Sequence, residues 1–168
     1  MLTRRSLARW AAAALALPTL RLAALEPATG PVVLTVSGKL AQPNAGARAE
    51  FDMPMLSRLP QRSFSTATPW FDAPRKFSGP LLRDVLAAVG SQGSVLRCMA
   101  LNDYAVDLPI EDTQRHDVLL AILLDDKPMA VRDKGPLFII YPFHTSPALR
   151  NAVYFGRSVW QLKSIQVQ

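Results

Sequence analysis

The sequence predicts an α+β fold: a single mixed, β-rich domain over residues 25–168. Three observations carry the prediction. Short β-branched or apolar runs recur between turn residues, at 32–37, 94–101 and 136–141. The clearest helical spacing of apolar residues is confined to residues 76–90. Proline outnumbers glycine, 14 against 8, which favours short elements and fixed turns over long helices.

The elements follow in order. Residues 32–37 (VVLTVS) read as a first strand, and Pro43-Asn44-Ala45-Gly46 as an exposed loop after it. Asp52 is placed to cap a short helix over residues 53–59, with Pro54 in its first turn and Pro60 closing it. Residues 63–68 return as a Ser/Thr-rich strand. In residues 76–90, Ser78 or Gly79 precedes Pro80 at an expected first helical turn. Leu81, Leu82, Val85, Leu86 and Val89 repeat at helical spacing, and Gly90 stands where a left-handed cap is needed.

Residues 94–101 and 104–108 read as a hairpin turned by Asn102-Asp103, both of which tolerate positive φ. Residues 110–116 form a polar helical turn, 118–124 a buried strand or helix, and Asp125-Asp126 a reversal. Residues 136–141 (PLFIIY) form a buried strand. In the last strand, 159–167, the apolar alternation changes phase at Lys163-Ser164, as a bulge would require.

Residues 1–24 read as a signal peptide. A basic start containing Arg4, Arg5 and Arg9 precedes a short apolar stretch from Trp10 to Leu20, then small residues suited to cleavage after Ala24. Thr3-Arg4-Arg5-Ser6-Leu7 is similar to the twin-arginine export motif; the alternative is a general secretory signal that contains Arg-Arg. Either route delivers a periplasmic protein, with no membrane association expected once the signal is removed. The apolar stretch is shorter than the ~20 residues of a spanning helix.

Composition narrows the function. A hydrophobic content of 49% with 19% charged residues excludes general disorder. The net charge of +6 includes Arg4, Arg5, Arg9 and Arg21, so the domain itself carries only +2 and no nucleic-acid partner is expected. Cys98 is the one cysteine, which precludes an intramolecular disulfide, and it reads as a buried structural thiol. His116 and His144 lack the companions of a zinc site, and His116 reads as a solvated surface residue. No G-x-S-x-G elbow or Gly-rich phosphate cradle is present. Asp103 and Asp112 read as turn and helix-cap residues. Tyr104 and Trp70 suit either stacking on a flat ligand or packing in the core.

Several segments together resemble the molybdopterin-binding domain of sulfite-oxidase-type oxidoreductases. They are FSGPLLRDVL at 77–86, NDYAVDLPIED at 102–112, the hairpin over 119–129, RDKGPL at 132–137 and SVWQLKSI at 158–165. Their shared order and spacing cover about residues 32 to 167. In catalytic members a strand carries a Cys thiolate that binds molybdenum. The matching strand here, residues 64–70, has Thr66 at about that position, and Cys98 falls in a different strand. A neutral hydroxyl is a poor replacement for a soft thiolate ligand.

The resemblance implies a pterin cofactor pocket around Thr66, Asn102, Tyr104, Arg132 and Lys134, with no molybdenum ligand and no catalytic residue assigned. Arg132, Lys134 and Arg157 would offer charge to a pterin phosphate; for Arg132 and Lys134 the alternative is a solvated hairpin flank. Two functions are consistent with the sequence: a molybdopterin-binding oxidoreductase, or a non-catalytic binding or sensor-accessory module serving a small molecule or a periplasmic protein partner.

Overall fold

The computed structural model describes residues 25–168, so the signal peptide expected over residues 1–24 lies outside the described residues. Strand β1 (Val32–Gly38) buries Leu34 and Val36 on one face, the period-two pattern of a half-buried strand. It pairs antiparallel with β2 (Ala49–Asp52), a strand for which the sequence carries no expectation. Asn44 organises the connection, bonding the backbone N–H and carbonyl of Glu50.

Asp52 ends β2 and caps α1 (Met53–Arg58), accepting the Met55 N–H at 2.9 Å as expected. Strand β3 (Gln61–Thr66) then pairs antiparallel with β4 (Arg75–Pro80). Pro80 does not stand in the first helical turn, as expected, but ends a strand. Ser78, Gly79 and Pro80 belong to β4, and α2 (Leu82–Ala88) begins after Leu81 without a side-chain cap. The strand runs one turn further because Gly79 packs against the carbonyl of Leu120; any side chain there would collide with it. Helix α2 buries Leu82, Val85 and Leu86, and Gly90 follows at φ +59 as the cap reading required.

The hairpin of β5 (Val95–Ala100) and β6 (Ala105–Pro109) has Asp103 at φ 63 in its turn. Helix α3 (Ile110–Arg115) leads to β7 (Leu119–Ala121) and β8 (Leu123–Leu124), so the segment expected as a strand or a helix holds two short strands separated at Ile122. Asp125 and Asp126, both at positive φ, reverse the chain into β9 (Lys127–Pro128). Strand β10 (Phe138–Ile140) pairs with β7, and every residue of both strands is buried.

Helix α4 (Ala152–Arg157), capped by Asn151, was not anticipated. The last strand, β11 (Leu162–Val167), starts three residues later than expected, with its register against β5 shifting between Leu162 and Ser164 at the expected bulge.

These strands assemble as a five-stranded sheet in the order β2-β1-β11-β5-β6, a four-stranded sheet β3-β4-β8-β9 and the pair β10-β7. Only β1 and β11 run parallel in the first sheet. The sheets are tied together through the backbone: Ile122 N–H donates to Ser78, Ile139 N–H to Val159 and Leu162 N–H to Leu137. The result is the α+β, β-rich single domain read from the sequence. Its core gathers Leu34, Phe51, Phe77, Leu82, Leu96, Phe138 and Ile165, each fully buried and each contributing roughly 1.5–3 kcal/mol relative to exposure. Among the described residues no helix is long and apolar enough to cross a membrane.

Candidate functional site

A pocket of about 320 Å³ opens where the β5–β6 turn meets α4 and the entry to β11. Trp70, Tyr104, Phe155 and Trp160 supply aromatic walls, and Ala100, Asn102, Gly156, Ser158 and Val159 complete the lining. Trp70 is the hub: its ring lies 5.4 Å from that of Trp160 and 6.0 Å from that of Phe155, both edge-on, and 5.7 Å from that of Phe138. Edge-to-face pairs of this kind add about 0.5–1.5 kcal/mol beyond the area they bury.

The polar groups of the pocket are fixed by local bonds. The Tyr104 hydroxyl donates to the Gly156 carbonyl at 2.8 Å and so ties the hairpin turn to α4. Asn102 Oδ1 accepts the Tyr104 N–H at 3.2 Å. Ser158 Oγ donates to the Tyr154 carbonyl at 3.0 Å.

The five residues assigned to a cofactor pocket do not all meet there. Asn102 and Tyr104 line it, and Trp70, the other stacking candidate, does too. Thr66 is 2% exposed at the end of β3, opposite Arg75, and is not part of the lining. Arg132 points to solvent with its side chain 88% exposed and Asp133 3.5 Å away. Lys134 is half-buried outside the wall, its Nζ 4.6 Å from the Trp160 ring centroid and 5.7 Å from that of Phe71. That arrangement is a cation over two aromatic faces rather than the solvated flank considered from sequence.

Beside the pocket, a buried polar cluster replaces two sequence readings. Asp112 is not a helix cap: its Oδ2 accepts the Tyr141 hydroxyl at 2.7 Å and Arg157 Nη1 at 2.8 Å. Burial first, and then the Asp112 carboxylate, push the Tyr141 hydroxyl well above its usual pKa, so it stays a donor. His116 is half-buried rather than solvated, its ring 5.9 Å from that of Tyr154 and 6.5 Å from that of Tyr141.

The donor set does not fit a molybdenum centre. Thr66 offers a hydroxyl, and Cys98 is fully buried in β5 with its thiol pushed up to about 12, by burial first and by the Asp107 charge second. Among the described residues no three His, Cys, Asp or Glu side chains are grouped to hold a metal ion. Sequence reasoning missed Ala100, Phe155, Gly156, Ser158, Val159 and Trp160 as site residues. The signal for α4 was Asn151, a good cap residue ahead of Ala152-Val153-Tyr154-Phe155.

No family model matches the chain, and no curated protein matches it.

Proposed function

We propose that this chain is a periplasmic small-molecule-binding module, with a fold of the molybdopterin-binding-domain type, that takes a flat heterocycle into the pocket of Trp70, Tyr104, Phe155 and Trp160. The observation that carries this reading is the aromatic wall itself, a preformed concave site with a few fixed polar groups. The order of the resembling segments supports the fold type, and the twin-arginine-like start supports export.

The oxidoreductase reading draws less support. Catalytic members of the resembled family hold molybdenum by a Cys thiolate, and the one cysteine here is buried in the five-stranded sheet. Binding without redox chemistry uses what the pocket offers: ring faces for stacking, and the Asn102 and Tyr104 polar atoms for orientation. The test is titration of the purified protein with pterin, followed by tryptophan fluorescence, since Trp70 and Trp160 both face the site. Saturable quenching that Trp70→Leu abolishes is expected. Quenching unchanged by that substitution would overturn the assignment of the pocket.

A further inference from the structure

Resting on the reading of the aromatic pocket as a small-molecule site, we infer that its ligand is an uncharged planar heterocycle with an N–H donor and a carbonyl acceptor on one edge, and that a phosphorylated form of the same ring is disfavoured. None of the nine lining residues is an Asp, Glu, Lys, Arg or His.

The cations adjoining the lining are engaged elsewhere. Arg157 lies between Gly156 and Ser158 in the chain, yet its Nη1 is on Asp112 at 2.8 Å. Lys163 Nζ is 2.7 Å from Asp103 Oδ1, beside Asn102. Lys134 sits over the rings of Trp160 and Phe71 and is no part of the wall. A phosphate pressed into this pocket would shed its hydration without gaining a counter-charge.

The hydrogen bonds already made specify the ligand's edge. Asn102 Oδ1 accepts the Tyr104 N–H, and its amide Nδ2, without a partner among the described residues, can donate to a carbonyl. With the Tyr104 hydroxyl proton given to Gly156, the oxygen lone pairs are left to accept an N–H. Donor and acceptor stand two residues apart on one turn, and both residues line the pocket together with Trp70 and Trp160.

The experiment uses a matched pair of probes, 6-hydroxymethylpterin and the same compound phosphorylated on its side-chain hydroxyl, titrated calorimetrically into the full protein near neutral pH. The unphosphorylated compound is expected to bind at least about tenfold more tightly, with an affinity insensitive to salt. Asn102→Ala, at an exposed position, should weaken that compound about fivefold while leaving the Tm unchanged. Equal or tighter binding of the phosphorylated compound would overturn the inference and leave the pocket a small-molecule site. If neither compound binds, the pocket assignment fails and the inference goes with it.

Discussion

Arg157 Nη1 and Asp112 Oδ2 lie 2.8 Å apart, and the same carboxylate oxygen also accepts the Tyr141 hydroxyl. One atom thereby joins α4, α3 and the residue after β10. Because Arg157 sits between two lining residues, this contact also sets the position of the pocket wall.

Removing the arginine leaves a nearly buried carboxylate with the Tyr141 hydroxyl as its remaining partner. Arg157→Ala should therefore lower stability by about 2–3 kcal/mol, at the low end for a buried pair because Arg157 keeps some exposure. Tyr141→Phe should cost about 1 kcal/mol. Urea denaturation of both variants and the double variant should show coupling between them, since they share one oxygen.

Gly79 tests the close approach of β4 and β7. Gly79→Ala places a methyl against the Leu120 carbonyl and should cost about 3 kcal/mol. Gly46→Ala, with open space around it but φ +65, should cost only about 1 kcal/mol. Equal effects in thermal unfolding would show that the strands do not meet as described.

Asp52 links acid stability to α1. The Met55 N–H, then the Gly30 N–H, hold its carboxyl below the ordinary value of 3.8, with Thr29 adding to them and burial opposing. A depressed folded pKa means that the contribution is complete above the unfolded value and is lost as pH falls through the folded one. Stability of the native protein should thus drop on acidification below about pH 4, and Asp52→Asn should flatten that part of the profile. The measurement is a series of urea midpoints against pH.

Cys98 should be chemically silent in the folded protein. Its full burial and its thiol raised to about 12 predict alkylation at least about a hundredfold slower than for a free thiol, with full reaction in denaturant. Rapid modification under native conditions would place the sulfur at the surface and reopen it as a ligand.

Thr66→Cys addresses the metal directly. Thr66 is buried at the end of β3 and outside the pocket lining, so the variant, made in a host that supplies the molybdenum cofactor, should be recovered without molybdenum. Near-stoichiometric metal by elemental mass spectrometry would restore the oxidoreductase reading.

Residue chemistry acting over a few positions was legible. The Asp52 cap, the Asn102-Asp103 and Asp125-Asp126 turns and the bulge after Leu162 all follow from neighbours, because caps, positive φ and strand alternation are local properties. Pro80 misled for the same reason. Its fixed φ suits a helix start as well as a strand end, and only the Leu120 carbonyl packed on Gly79 chose between them. The site was about one-third legible: Tyr104, Asn102 and Trp70 were named from the chain, whereas Phe155 and Gly156 lie on a helix too short to announce itself by periodicity, and Ser158 follows it as its C-cap.

The sequence by itself determined the class of fold, the apolar faces and the turns, since each depends on the residues within one element. Tertiary structure decided that β1 lies parallel to β11, that Asp112 answers to Arg157 and Tyr141 instead of capping a helix, and that Trp70 packs edge-on against Trp160. Those choices rest on burial shared between distant segments, and no single segment carries the energy that makes them.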